Sequence, residues 1–407
     1  MKHLALIFLG LLISQTVSAQ EWNQWRGPAR DGSVSAAPKS LPKTYRQAWQ
    51  VEVGEGYSSP VISGGRVFIN SRRDPNEIVM AINLADGKVL WEKQYPASFK
   101  KNQYAVEMAK GPNSTPLVIG NRLFTLGVSG VVVAWDTKTG NELWKKDFSK
   151  SIDTSKLFCG TAASPLAVDG RVIVQVGSDI HGGQVLSLDP ATGAVAWEWR
   201  GPGPGYASPV VINVGGATQI VTVTQESLVG LDSKSGKELW SVPFPDEWHE
   251  NIMTPIWTGS HLIVSGTRQG THAYELKNTV GNWQATEAWH NKEVAMYMSS
   301  PVFGDGLIYG HSAKRKGQFV ALDAKSGVLK WATEGREGEH ASILLTPEHV
   351  VFLTNGADLI FAKRAQPSFT AEQRYEVAKS PTWAVPVLMG SDLLVRDATT
   401  LMRLTSQ

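Results

Sequence analysis

The stretch Leu188–Trp197, "LDPATGAVAW", is written five times in this chain with small changes. The other copies are "INLADGKVLW" at 82–91, "WDTKTGNELW" at 135–144, "LDSKSGKELW" at 231–240 and "LDAKSGVLKW" at 322–331. All align on a glycine, at Gly87, Gly140, Gly193, Gly236 and Gly327, and a tryptophan follows four residues later, at Trp91, Trp144, Trp197, Trp240 and Trp331. Before each glycine a short polar run begins at Asn83, Asp136, Asp189, Asp232 or Asp323. An Asp or Asn side chain bonds the backbone of its own turn, and glycine supplies the positive φ that a tight turn needs. The flanks, such as "VLSLD" and "AVAWEW", are apolar and partly alternating, which is strand chemistry. Each copy therefore predicts a β-hairpin with a Trp on its returning strand.

A second element recurs upstream: a small polar residue and a proline ahead of an apolar run, at Ser59-Pro60, Thr115-Pro116, Ser164-Pro165, Ser208-Pro209, Thr254-Pro255, Ser300-Pro301 and Thr346-Pro347, with Val385-Pro386 as a diverged eighth. Each unit reads as four antiparallel strands. Successive Trp positions, from Trp49 through Trp289 to Trp331, lie 42 to 53 residues apart. That is the length of a propeller blade. The seventh unit has lost its Gly and Trp but keeps strand character in "PEHVVFL" and "LIFAKR". The eighth supplies three strands before the chain ends, and "YRQAWQVEV" at 45–53 offers the fourth. A seam closed by both termini leaves no open sheet edge. The fold expected is all-β: one eight-bladed propeller of four-stranded antiparallel blades, with the N-terminal strand closing the ring.

The pattern A-x-D-x-x-T-G-x-x-x-W resembles the repeat of the pyrroloquinoline-quinone (PQQ) type propeller family. That family includes quinoprotein dehydrogenases and BamB-like assembly factors of the outer membrane. The resemblance runs from about Trp49 to Leu404. It implies the propeller fold, and for function it implies two alternatives. One is a scaffold; the other is an oxidoreductase with PQQ over Ca²⁺ in the central funnel. The single cysteine, Cys159, rules out the disulfide of adjacent cysteines on which many of those enzymes stack the cofactor, and no C-x-x-C-H haem site is present. Carboxylates such as Asp179, Glu250, Asp358 and Asp397 show no spacing that marks a Ca²⁺ cage. No cofactor is expected on the leading reading.

The first 19 residues read as a secretory signal peptide, with Lys2, an apolar run from Leu4 to Ile13, and cleavage after Ala19. An apolar run of that length is too short for a bilayer. No Cys follows the cleavage site, so the expectation is a periplasmic or secreted protein without a lipid anchor. Residues 20–44 form a leader, in which "EWNQWRGPARDG" at 21–32 packs across the propeller, and 45–407 form the propeller itself. A net charge of +2 selects no polyanionic partner, and "KRK" at 314–316 reads as a solvated loop.

Loops before each first strand, and between each second and third strand, are expected to face one mouth of the channel. They nominate Arg72, Arg73, Lys110, Asn113, His181, Tyr206, His249, Glu250, Arg268, Tyr297, His311, His340 and Trp383 as ligand-binding residues. Planar rings suit stacking, and Arg suits bidentate contacts. The neighbours His249-Glu250, Glu339-His340 and Asp179 with His181 also admit a metal-assisted hydrolase. The leading expectation is a non-catalytic propeller at the cell envelope that binds a protein partner or a small ligand.

Overall fold

The computed structural model describes residues 21–407, apart from 36, 37, 39, 101, 104, 106–108, 152–156 and 179. The signal peptide read at 1–19 and the carboxylate Asp179 lie outside the described residues. Tyr45–Glu52 (β1) is followed by seven runs of four strands and a final run of three, Val387–Met389 (β30), Asp392–Arg396 (β31) and Thr400–Ser406 (β32). They form eight four-stranded antiparallel sheets, numbered here as blades I to VIII from the first complete one. Blade I is Val61–Ser63 (β2), Arg66–Arg73 (β3), Asn76–Asn83 (β4) and Val89–Pro96 (β5). Middle strands lie between neighbouring blades and read as apolar runs. β3 and β4 each bury six consecutive residues, whereas the outer strand β5 is largely exposed and buries Trp91 and Tyr95.

The repeated phrase is the outer hairpin, and its residue types have separate tasks. In "DTKTG", Asp136 Oδ1 accepts bonds from the N–H groups of Lys138 and Thr139, at 3.0 and 2.8 Å, and from the Thr139 hydroxyl at 2.8 Å. Gly140 sits at φ 70° with the Trp91 indole of the preceding blade against it, so that a Cβ there would lie 2.7 Å from the ring. Trp91 in turn donates its Nε1–H to the Thr137 carbonyl at 3.1 Å. The same dock joins Trp49 to Gly87, Trp144 to Gly193, Trp197 to Gly236 and Trp289 to Gly327. Two Trp residues lack it. The hairpin that follows Trp240 turns at Gly281, which has no neighbour, and Trp240 bonds Gln219 of its own blade at 2.7 Å. Trp331 faces the hairpin that lost its glycine and packs against Phe369, 5.7 Å between ring centres.

The Ser/Thr-Pro motif builds a girdle around the channel. The backbone N–H of Ser59 donates to Thr115 Oγ1, Thr115 to Ser164, Ser164 to Ser208, Ser208 to Thr254 and Thr254 to Ser300, at 2.9–3.1 Å. Val385 N–H donates to Ser59 Oγ at 2.9 Å across the closure. Blade VII corrects the sequence reading. Its first strand is Ala341–Leu345 (β26), so Thr346-Pro347 lies in the turn after the strand rather than ahead of it. There Thr346 Oγ1 accepts the His349 N–H at 2.9 Å, a local turn that uses the same residue types. β1 pairs with β32 from Tyr45↔Ser406 to Glu52↔Thr400, which closes the ring as the sequence implied. Buried Arg396 locks the seam by donating to the carbonyls of Ser58, Asn70 and Gly54 at 2.8–3.1 Å.

Candidate functional site

The leader lies across the channel. Trp22 bridges Ile62 of blade I, Asn23 exchanges bonds with Val118 of blade II, and Ser33 bridges Leu345 of blade VII. Arg30 is buried and gives its donors to backbone carbonyls: Ser164 at 2.7 Å, Pro165 at 2.9 Å and Pro209 at 2.8 Å. Arg26, also buried, donates to the carbonyls of Pro301 and Asp31. The Trp25 ring lies against both guanidinium groups, at 5.5 and 5.6 Å. The leader therefore floors the channel.

Above this floor is a cavity of about 200 Å³. Its wall comes from the residue two before each girdle position, or its neighbour: Tyr57, Asn113, Ala162, Tyr206, Ile252, Met298, His340 and Trp383, one per blade. Tyr297, Glu250, Phe158 and Cys159 complete it. The aromatic side is continuous. Tyr57 lies 5.4 Å from Trp383, and the His340 ring is near-parallel to that indole at 5.3 Å and 15°. Opposite, Tyr297 donates its hydroxyl to Glu250 Oε2 at 2.5 Å, and that carboxylate together with burial raises the tyrosine's pKa. Tyr57 and Tyr206 are fixed by N–H donors from Ala109 at 3.1 Å and Phe158 at 2.8 Å. Burial pushes the His340 pKa down to about 3, with nearby His311 adding to the effect. The ring is held neutral between Ser299 and Ser342, at 3.2 and 3.3 Å.

Of the nominated residues, the cavity brings together Asn113, Tyr206, Glu250, Tyr297, His340 and Trp383. The others stand apart from its lining. Arg72 is buried in blade I, paired with Asp74 at 2.5 Å and bonded to the Ala97 carbonyl at 2.8 Å. Arg73 pairs with Glu92 at 2.9 Å, and Lys110 with Asp74 at 2.8 Å. His181 is exposed in a turn on Ser178 Oγ, and His249 sits in a turn at φ 60°. Arg268 covers the exposed Trp248 at 5.7 Å and pairs with Glu247 at 3.3 Å. His311 is buried beside Gly317, and burial lowers its pKa to about 4. Sequence reasoning missed Trp25, Arg26, Phe158, Cys159 and Met298. The signal for Met298 was present, two residues before Ser300.

The quinone implied by the fold resemblance was tested against this lining. Among the described residues, Glu250 is the one carboxylate and Arg26 the one cation in it. Glu250 already accepts Tyr297, and Arg26 already serves the floor. A Ca²⁺ ion takes 6–8 oxygen ligands, and a quinone bearing three carboxylates needs cationic partners. These residues do not fit that pair.

A family model described as "Outer membrane protein assembly factor BamB" matches residues 40–110 and 75–333. BamB of Yersinia pestis is 26% identical over 231 residues, covering 55% of this chain and 52% of that protein. The chain thus spans about half the length of that relative, or less for the BamB of Aliivibrio fischeri, at 25%. The crystal structure of BamB from Moraxella catarrhalis superposes with a TM-score of 0.61 at 14% identity, over 89% of this chain and 98% of that one. The quinohemoprotein alcohol dehydrogenase of Comamonas testosteroni superposes with a TM-score of 0.66, also at 14% identity, over 95% of this chain and 80% of the enzyme. At such identity the likeness is one of fold. With the family model spread over most of the blades, the chain belongs to the PQQ-type propeller family of outer membrane protein assembly factor BamB.

Proposed function

We propose that this chain is an exported, non-catalytic scaffold of the cell envelope that receives one ring-bearing side chain of a partner protein in the central cavity. The observation that carries the reading is the Tyr57–Trp383–His340 wall above a girdle whose hydroxyls already serve the blades. What remains for a guest is a set of aromatic faces and the Tyr297–Glu250 pair. Aromatic faces favour a flat guest, and about 200 Å³ admits a single such group rather than the drug-sized ligands of larger pockets. The names of the BamB relatives support a place in outer-membrane protein assembly. Among the described residues, no helix is long and apolar enough to cross a membrane.

The test places a photo-crosslinking residue at Trp383 in cells that make the protein. The expected result is one dominant adduct with an envelope protein, together with lower outer-membrane barrel levels when the gene is deleted. A propeller that stays unlinked, with an unchanged outer-membrane profile, overturns the scaffold. Stoichiometric uptake of PQQ and Ca²⁺ with dye-linked alcohol oxidation would put the dehydrogenase reading in its place.

A further inference from the structure

Blade V carries the longest hairpin of the ring, Gly270–Thr279 (β20) against Asn282–Asn291 (β21). His272 and His290 are direct cross-strand partners, so both side chains leave the same face of the sheet. Strict alternation would put Glu287 on the opposite face from His290. The register slips between Ala273 and Tyr274, however, and this bulge seats Glu287 opposite Tyr274, on the histidine face. The same slip recurs at the corresponding place in other blades, for example at Ala81/Ile82 and Ala134/Trp135. Blade V alone among the described residues fills it with two imidazoles and a carboxylate whose ligand atoms lie within 4.8 Å of one another.

The two rings stack at 3.8 Å and 19°. His272 Nε2 and His290 Nε2 converge on the carbonyl oxygen of Gln269, at 3.0 and 2.7 Å. His272 Nδ1 faces Glu287 Oε2 at 2.7 Å. The far nitrogen of the His272 ring is thus held by a carboxylate, while the two Nε2 atoms and one carbonyl oxygen converge on a single point. A carboxylate on the far nitrogen of a metal-binding imidazole is the usual outer support of such sites, fixing the tautomer and raising the basicity of the ligand nitrogen.

We propose that His272 Nε2, His290 Nε2 and the Gln269 carbonyl hold one divalent ion of the zinc class, with water in the open positions and Glu287 as the positioning carboxylate. Two imidazoles and an oxygen suit a borderline cation rather than Ca²⁺ or Mg²⁺. The Gln269 side chain donates to the Pro245 carbonyl, on the segment leading to Trp248, and Arg268 lies over that ring. The ion would therefore clasp the blade IV–V rim of the channel. This site is independent of the cavity and of its guest.

The experiment is native mass spectrometry of the untagged mature protein with Zn²⁺, paired with ¹⁵N spectra of the histidine rings. One Zn²⁺ per chain is expected, with ring shifts confined to His272 and His290 of the eight histidines that follow residue 19. His290→Asn should abolish uptake, and Glu287→Gln should weaken it about tenfold. Absence of uptake at micromolar free metal, or uptake unchanged in His290→Asn, overturns the site. If that variant does not fold, the wild-type ring shifts decide, and movement at any other histidine overturns it equally.

Discussion

His340 shows what burial does to one side chain. Its ring stacks on Trp383 and bonds two serine hydroxyls, and no carboxylate among the described residues acts on it. Burial pushes its pKa down to about 3 from an ordinary 6.5, and that of His311 down to about 4. Both folded values lie below the unfolded one. Between pH 6.5 and about 4 the unfolded chain therefore takes up protons that the folded chain refuses, so stability is full above pH 6.5 and is lost as the pH falls. Urea midpoints measured from pH 7 to 4.5 should show a loss of up to about 3 kcal/mol per ring. His340→Asn should flatten that slope, and an identical slope in the variant would remove the ring from the account. Cys159, the one thiol of the chain, lines the same cavity.

At the scale of the hairpin, the Trp–Gly dock is the unit of blade-to-blade attachment. Trp197 rests on Gly236 of the next blade and donates to the Ser233 carbonyl at 3.1 Å. Trp197→Ala removes a half-buried ring and one hydrogen bond, at about 2–4 kcal/mol. Gly236→Ala sets a Cβ against the indole at φ 71° and should cost a similar amount. The two losses act on one contact. A double-mutant cycle read from chemical denaturation should return at least about 1 kcal/mol of coupling, and additive losses would separate the two residues. The blades were legible from sequence because most of these contacts use Asp or Asn, Gly and Trp at fixed spacing. The seventh inner strand was misplaced because Thr346-Pro347 satisfies a local turn with the residues that elsewhere mark the girdle. The cavity was half legible. Residues placed by the girdle spacing converge, as Tyr206, His340 and Trp383 do. Arg72 and Arg73, at the end of β3, and Arg268, in a loop of blade V, go instead to ion pairs with neighbouring carboxylates, and sequence carries no sign of such pairing.

At the scale of the molecule, stability rests on a closed ring. β1 contributes seven register pairs to blade VIII, and Trp49 docks that blade on Gly87. Deleting 45–53 opens the seam, leaves β32 as a bare edge and removes the first dock. The melting temperature should fall by more than about 5 °C and the protein should begin to self-associate. A monomer with an unchanged melting temperature would show that closure contributes little.

The leader gives this architecture a direction in time. Residues 22–34 bond the inner strands of blades I, II, III, IV, VI and VII, and Arg26 reaches a carbonyl 275 residues downstream. A chain still being synthesised offers those contacts only after blade VII exists. The leader is thus fully seated only when the last of these blades is in place, so the ring and its floor are completed together.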